Sequence, residues 1–344
     1  MSEGLYTLIR NALFCLPPEA SHNAALKAMA LSERLGLAGL LAGGDPRLAQ
    51  PVQLLGLEFP HRVGLAAGLD KNADHVDALT AQGFAFIEVG TLTPRPQPGN
   101  QKPRLFRLRP EQAIINRMGF NNKGIEHALT QLARRHRPGI VGINIGKNFD
   151  TPVELAVDDY LICLRRCYAS ADYVTVNISS PNTPGLRSLQ FGAEFNQLLH
   201  ALKQEQALLD TRHGRYVPLL VKLAPDLAED EIRVCCESLL QQGIDGVIAT
   251  NTTLDRTRIG GSPFAAEAGG LSGAPLTAAS TAVIAAIKSH VGDRLPIIGV
   301  GGIMSGADAR AKLEAGADLL QLYSGFIYRG PALIDEILRA IVHD

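Results

Sequence analysis

Short apolar runs alternate with longer amphipathic stretches along most of the chain after residue 52. Eight runs rich in Val, Ile and Leu are predicted strands: residues 62–66, 86–90, 141–145, 173–178, 219–223, 246–250, 296–300 and 319–323. Each is followed by a stretch with helical periodicity: 72–82, 123–134, 152–168, 191–209, 228–242, 278–290, 306–315 and 331–342. Continuous apolar strands are expected where helices cover both faces of a sheet. Eight such units predict an α/β fold, a (β/α)8 TIM barrel.

Two further helical stretches precede this repeat. Residues 4–16 carry a stripe of leucines and end at Pro17 and Pro18, and residues 19–42 form a second, partly charged stretch. The first is too short and the second too charged to span a bilayer. They could lie in the membrane interface or bracket an apolar tunnel, or they could pack on the main domain as a helical hairpin. We therefore divide the chain into an N-terminal helical segment, residues 1–45, and a barrel domain, residues 46–344.

Composition narrows the classes of partner. The chain has 344 residues, 46% of them hydrophobic, and a formal net charge of −1. A near-neutral balance argues against a nucleic-acid partner, which usually leaves a basic footprint. The five cysteines have no metal-type C-x-x-C spacing and no signal peptide precedes them, so we interpret them as apolar fillers in a reducing compartment. No metal site is predicted.

Polar residues recur where the predicted strands end. In a TIM barrel the active site lies at the carboxyl ends of the strands, so these side chains should converge on one rim. They are Lys71, Thr91, Asn144, Asn177, Ser180, Lys222, Thr250, Asn251 and Thr252. Any one of them could be a turn residue, but six strand ends with Asn, Lys, Ser or Thr favour one shared site over six independent caps. A lysine inside an apolar strand, as Lys222 is, must reach solvent or pair with an anion.

The densest of these strand ends is the sequence VTVNISSPNTPG at residues 174–185. A β-branched strand runs directly into a polar loop that contains Asn177, Ser180 and Asn182. Pro181 and Pro184 stiffen the backbone that presents them. The alternative is that the asparagines only satisfy backbone groups in an Asx turn. The other polar strand ends favour a functional loop.

Glycines follow the last two predicted strands. Gly299, Gly301 and Gly302 precede one helix, and Ser324 and Gly325 follow the eighth strand. Barrels commonly hold phosphate in these two loops, where glycine lets backbone N–H groups approach an anion. Tight packing is the alternative use of these glycines. Two insertions, residues 92–120 and 253–276, are long βα loops of the kind that shape a site.

Taken together, the motifs resemble one enzyme family. AAGLDKN, EVGTLTPRPQPGN, FRL, INRMGFNN, VNISSPNTPGLR, VKLAPD, ATNTT, GGLSG, GVGGI and LYSGF are similar to the class 2, membrane-associated dihydroorotate dehydrogenases. The resemblance implies oxidation of (S)-dihydroorotate to orotate by FMN and a quinone, in de novo pyrimidine (UMP) biosynthesis. It also implies one FMN per chain across the barrel mouth and a quinone entering between the N-terminal helices. Class 2 is indicated by those helices and by Ser180, where class 1 enzymes use a cysteine base.

The resemblance also implies roles for individual residues. Ser180 would remove the proton from dihydroorotate C5 while hydride passes from C6 to flavin N5. Substrate would be bound by Lys71, Asn116, Arg117, Met118, Gly119, Phe120, Asn177, Asn182, Asn251 and Thr252. FMN would be bound by Ala67, Gly68, Leu69, Asp70, Lys71, Thr91, Asn144, Asn177, Lys222, Thr250, Gly273, Gly302, Tyr323 and Ser324. Lys222 would stabilise negative charge at the flavin N1/O2 edge. The quinone would meet His22, Arg107 and Tyr323.

The N-terminal helices predict a location for the protein, and two other functions are open alternatives. Residues 4–42 would attach the protein peripherally to the cytoplasmic face of a bacterial-type cell membrane. A flavin-free barrel lyase or isomerase acting on a phosphorylated metabolite would use the glycine loops but leave Lys222 and the amides unexplained. A non-catalytic peripheral membrane module would use the N-terminal helices alone.

Overall fold

Eight parallel strands form a closed barrel in a computed structural model that describes residues 3–40, 42–183 and 185–341. In chain order β1 to β8 are Val63–Leu65, Phe86–Leu92, Ile140–Ile145, Tyr173–Asn177, Leu219–Leu223, Gly246–Ala249, Ile297–Val300 and Leu319–Leu322. Each strand pairs with the next, and β8 pairs with β1. The predicted (β/α)8 barrel is therefore confirmed. Pro184 and Val342, which the sequence analysis placed in a loop and at a helix end, lie outside the described residues.

Eleven α-helices occur in the described residues. In chain order α1 to α11 are Glu3–Leu13, Pro18–Arg34, Val76–Thr80, Ile125–Leu132, Ala156–Cys167, Gly192–His213, Glu229–Gln241, Thr277–Val291, Gly306–Glu314, Ser324–Arg329 and Ala332–Ile341. Sequence periodicity predicted all of these except α10. That short helix begins directly at the end of β8 and buries Phe326 against Phe84, with ring centroids 5.0 Å apart. This tertiary contact is not visible in a six-residue pattern.

Aromatic side chains and a small hairpin fill the amino-terminal end of the barrel. The hairpin pairs Val52–Leu54 with Leu57–Phe59. Phe59 is fully buried and meets the ring of Phe86 edge-on, with centroids 5.1 Å apart. A Cβ on Gly64 would lie 2.4 Å from the Phe86 ring, so glycine makes room for these aromatics. With this end packed, an accessible site can form only at the carboxyl ends of the strands.

The two insertions join in a separate three-stranded antiparallel sheet, which we call the cap sheet. Its strands are Leu105–Leu108, Ala113–Asn116 and Gly270–Gly273, with Ala113–Asn116 in the middle. Sequence analysis predicted long site-shaping loops here but no sheet, because pairing between segments about 150 residues apart leaves no local pattern. The cap sheet positions Asn116 and Gly273 beside the barrel mouth.

The N-terminal helices pack on the barrel, α1 against α10 and α2 against α3. The Tyr6 hydroxyl donates to the carbonyl of Ile327 at 2.8 Å, and Arg10 donates to that of Tyr328 at 2.8 Å. Leucines on these helices and directly after α2 stay exposed, including Leu8 at 70% on α1 and Leu35 at 62% at the end of α2. In the described part of the chain, no helix is both long and apolar enough to cross a bilayer.

Candidate active site

A cavity of about 1030 Å³ opens at the carboxyl end of the barrel, below the cap sheet. Of the residues predicted to bind substrate or FMN, the cavity is lined by Ala67, Gly68, Lys71, Thr91, Asn116, Met118, Gly119, Phe120, Asn177, Ser180, Asn182, Lys222, Thr250, Asn251, Thr252, Gly273, Gly302, Tyr323 and Ser324. Strands far apart in the sequence thus bring most of the predicted residues into one cavity.

Asp70 is not among these lining residues. Its carboxylate accepts hydrogen bonds from the backbone N–H groups of Asn72, Asp74 and His75, at 3.3, 3.0 and 2.8 Å. Burial raises the pKa of Asp70, opposed by its bond and charge interaction with His75. The carboxylate therefore shapes the loop after β1, and this loop in turn presents Lys71.

Arg117 and Leu69 also point away from the cavity. Arg117 donates to Glu267 at 2.7 Å and lies 4.7 Å above the ring of Phe106, so it fastens the cap sheet to the loop before its last strand. Leu69 lines a second cavity, described below. The likeness to a family motif locates these residues in the sequence but does not give the direction of their side chains.

Asn144 lies one layer below the cavity in a chain of hydrogen bonds across three strands. Asn177 Nδ2 donates to Thr91 Oγ1 at 2.9 Å, and Thr91 Oγ1 donates to Asn144 Oδ1 at 2.6 Å. Asn144 Nδ2 donates to Glu88 Oε1 at 2.8 Å. All four side chains are buried, so these bonds replace those that water would make. The chain fixes which faces of Thr91 and Asn177 are turned to the cavity.

Glu88 anchors this chain and was missed by sequence analysis. Its second oxygen accepts from Tyr173 OH at 3.1 Å and from Gln321 Nε2 at 2.8 Å. Glu88 lies in the middle of the largely apolar run FIEVGTL, and a charged residue inside such a run is the feature that singled out Lys222.

Ser180 is buried in the loop after β4, at the cavity wall. Its Oγ accepts from the backbone N–H of Asn182 at 3.2 Å, which closes a tight turn. Asn182 Nδ2 donates to the carbonyl of Asn116 at 3.1 Å and so ties this loop to the cap sheet. Asn251 Nδ2 donates to Ser179 Oγ at 2.9 Å. The hydroxyl and the amides thus hold fixed positions around one space.

Two lysines face the cavity: Lys71 is partly buried in the loop after β1, and Lys222 is buried within β5. Lys71 Nζ donates to the carbonyl of Gly68 at 2.6 Å, and burial lowers the pKa of Lys71 to about 8, with the nearby charge of Glu19 opposing this. Burial also lowers the pKa of Lys222, while the negative charge of Glu88 acts to raise it. Lys222 is 6% exposed and has no hydrogen-bond partner within the described residues. A desolvated cation in this state favours an anionic ligand.

The loop after β7 has the features of a phosphate cradle. Gly301 O accepts from Ser280 Oγ at 2.8 Å, and Gly302 O accepts from Thr277 Oγ1 at 2.6 Å. Because C=O and N–H point in opposite directions in a trans peptide, the N–H groups of Gly302 and Ile303 are turned away from α8. Both residues line the cavity, and neither N–H has a partner among residues 3–40, 42–183 and 185–341. Such amides can bind an anion.

Glycine is required in this cradle. Gly302 has φ +69°, a conformation that favours glycine. A Cβ there would lie 2.4 Å from the backbone nitrogen of Thr277, in the first turn of α8. The loop can approach α8 only without a side chain at this position, so the contact that orients the free amides depends on Gly302.

A second cavity of about 700 Å³ lies between the N-terminal helices and the barrel. Apolar side chains of α1, α2 and α10 form most of its wall, and His22, Arg107 and Tyr323 also line it. Burial and the nearby charge of Lys71 lower the pKa of His22 to about 3, so this imidazole is neutral near pH 7. Tyr323 lines both cavities and lies between them.

Arg107 is the main polar group of the second cavity. Its guanidinium lies 4.3 Å from the centre of the Phe14 ring and donates from Nη2 to the carbonyl of Leu16. Its Nη1 is buried and has no partner in the part of the chain that the structure describes. Since an unpaired buried N–H is costly, Nη1 is a candidate donor to an acceptor inside this apolar space.

Comparison with known proteins supplies the family. A family model described as Dihydroorotate dehydrogenase matches residues 49–344. The chain belongs to the dihydroorotate dehydrogenase family. A family member from Marinobacter nauticus, named Dihydroorotate dehydrogenase (quinone), is 57% identical over 337 residues, which cover 98% of each chain. Another of that name from Cellvibrio japonicus is 59% identical over 330 residues, which cover 96% of each chain.

Solved structures agree with this assignment. The crystal structure of DHODH in complex with ferulenol from Eimeria tenella has a TM-score of 0.84 and 38% sequence identity to this chain. The match covers 94% of this chain and 90% of that one. The ligand-free structure from the same organism has a TM-score of 0.83. Membership of the family argues against both a flavin-free lyase and a non-catalytic membrane module.

Glu88→Gln tests the buried hydrogen-bond chain. An amide NH₂ in place of one carboxylate oxygen faces a donor, so at least one buried group loses its partner. We expect the free energy of unfolding to fall by about 1–3 kcal/mol. Urea unfolding measures this, with the exposed Glu58→Gln as matched control and an expected change within about 0.5 kcal/mol. Equal losses in the two variants would contradict the role given to Glu88.

Proposed function

We propose that the chain oxidises (S)-dihydroorotate to orotate with a quinone as electron acceptor, using FMN, in pyrimidine (UMP) biosynthesis. The observation that carries this proposal is the near-full-length identity of 57–59% to relatives named Dihydroorotate dehydrogenase (quinone). The barrel cavity supports it, because a serine hydroxyl, several amides and two lysines surround one space.

FMN fits the groups that surround the barrel cavity. The unpartnered N–H groups of Gly302 and Ile303 are suited to the phosphate, and the buried ammonium of Lys222 to negative charge at the flavin N1/O2 edge. Thr91, Asn177 and the other lining residues implied for the cofactor would hold the ring and ribityl chain. When bound, FMN supplies the acceptor for the substrate hydride and passes the electrons on to the quinone.

Dihydroorotate matches the remaining polar groups. Its ring presents amide donors and acceptors in one plane, and an asparagine side chain can meet either kind of group. We assign Asn116, Asn177, Asn182 and Asn251 to these edges, with Thr252 beside them. Lys71 supplies the cation for the carboxylate, and the cost of its burial is offset when that anion binds. Arg117 contributes indirectly, through its ion pair in the cap sheet.

Ser180 is assigned as the base that takes the proton from substrate C5. A serine hydroxyl is a weak base, so it needs a fixed position and a nearby group that accepts its own proton. The Asn182 N–H holds the Oγ in place, and no carboxylate or imidazole bonds to it among the described residues. The acceptor of the Ser180 proton must therefore be water or a group of a bound ligand.

Residues 1–45 are proposed as the quinone-access and membrane segment, and residues 46–344 as the catalytic domain. The second cavity is apolar, abuts the first at Tyr323 and contains Arg107 Nη1 as a donor for a quinone carbonyl. His22, being neutral, could bond the quinone without introducing a charge. Exposed leucines of α1 and α2 would lie in the cytoplasmic surface of the cell membrane, from which a lipid-soluble quinone could enter.

Ser180→Ala tests the base. Mixed anaerobically with dihydroorotate, wild-type protein should lose its oxidised-flavin absorbance and regain it when a soluble quinone is added. The variant should reduce its flavin at least ~100-fold more slowly, because the proton acceptor at C5 is missing. The exposed Ser188→Ala in the same loop should behave as wild type. If Ser180→Ala reduced flavin at the wild-type rate, another group would be the base.

Arg107→Gln tests the quinone site, with Arg109→Gln as matched control. Both arginines contact the Phe14 ring and its carbonyl, but only Arg107 lines the second cavity. Loss of one charged donor should raise the quinone KM about tenfold and leave the rate of flavin reduction by dihydroorotate unchanged. The opposite pattern, a change in the dihydroorotate half-reaction alone, would place the quinone elsewhere.

Leu8→Ser combined with Leu35→Ser tests membrane attachment. Each leucine that enters the lipid interface adds about 1.5–3 kcal/mol, so the double variant should bind anionic vesicles at least ~10-fold more weakly. Co-sedimentation with vesicles measures this. Leu208→Ser, a 64% exposed leucine on α6, should not alter binding. Equal vesicle binding by all proteins would exclude α1 and α2 as the attachment surface.

A further inference from the structure

A lysine outside the barrel cavity is completely buried. Lys312 lies on α9 with 0% exposure, and its Nζ donates to Ser280 Oγ at 2.5 Å and to Thr281 Oγ1 at 3.0 Å. The carbonyl of Thr277 lies 3.5 Å away. An ammonium has three donors and no acceptor, and it meets three oxygens here. Fully buried lysines are rare unless paired, and no carboxylate bonds to this one within the described residues.

The Ser280 hydroxyl links Lys312 directly to the phosphate cradle. Ser280 Oγ accepts from Lys312 and donates to the carbonyl of Gly301 at 2.8 Å. That bond turns the following N–H, of Gly302, away from α8 and toward the cavity. A change at Lys312 should therefore alter the direction of the Gly302 N–H, although Lys312 itself lies on the side of the cradle that faces away from the cavity.

Among the described residues, no lysine or arginine lines the cavity on the side of this cradle. Of the residues that line the cavity, the lysines are Lys71 and Lys222, which follow β1 and lie within β5. The loops after β7 and β8 contribute none to the lining. A phosphate dianion bound at Gly302 would then depend on backbone dipoles and on charge located behind the loop.

We propose that Lys312 is a positioning residue for the cofactor phosphate, which it supports from behind through Ser280 and by its positive charge. The inference rests on the proposed function, in which FMN occupies this cavity. Lys312 touches neither cofactor nor substrate, so its contribution is to affinity for the phosphate and not to the chemical step. Burial lowers the pKa of Lys312 to about 7, with Asp308 opposing, so a nearby dianion would favour its charged form.

Competition between FMN and riboflavin on the purified holoenzyme tests this role, because riboflavin is the same flavin without the phosphate. Wild type, Lys312→Met and Lys312→Gln are incubated with fixed mixtures of the two, and the bound flavins are separated and counted. Loss of the charge should shift the ratio of FMN to riboflavin affinity about tenfold toward riboflavin. Lys288→Met removes a partly exposed lysine on α8 and should leave the ratio unchanged. Ser280→Ala should give part of the shift.

Two results would overturn the role proposed for Lys312. A ratio equal to wild type in both Lys312 variants overturns the inference, as does equal weakening of FMN and riboflavin, which marks a merely structural lysine. Lys312→Gln keeps polar contacts to Ser280 and Thr281 and serves as the test if Lys312→Met does not fold. If wild type binds neither flavin, the proposed function itself falls, and the inference with it.

Discussion

Charge buried inside a closed barrel is the constraint on which the site depends. Glu88 and Lys222 both lie in strands that are largely apolar, and neither is exposed by more than 6%. Isolated charges would be too costly there, and three donors to Glu88 together with its attraction to Lys222 offset that cost. The same bonds orient Asn144, and through it the cavity wall. The hydrogen bonds that stabilise the barrel interior therefore also set the geometry of the site.

Three kinds of group in the cavity can bind negative charge. Lys71 presents an ammonium on a loop that the Asp70 carboxylate shapes, Lys222 presents one from inside the barrel, and the loop after β7 presents backbone N–H groups. These groups are desolvated, so each favours an anion more strongly than it would in water. This explains how a chain with a net charge of −1 can bind acidic ligands.

The second cavity has the opposite character. It is largely apolar, is formed where α1 and α2 meet the barrel, and abuts the first cavity at Tyr323. This arrangement is the basis for proposing that a water-soluble substrate and a lipid-soluble acceptor occupy separate cavities. The exposed leucines on the outer side of α1 and α2 continue that apolar character to the protein surface.

The barrel could be predicted from the chain alone, because strands covered by helices leave a local apolar pattern that periodicity detects. The sequence also determined which strand ends carry polar groups, and so most of the cavity lining. The directions of those side chains depend on tertiary contacts: Arg117 and Asp70 lie in binding-site motifs but face away from the cavity, and Asn144 lies one layer below it. The cap sheet, helix α10 and the burial of Lys312 likewise depend on contacts between distant segments. Such contacts leave no periodic trace, because the energy that selects them is gained only when both segments are present.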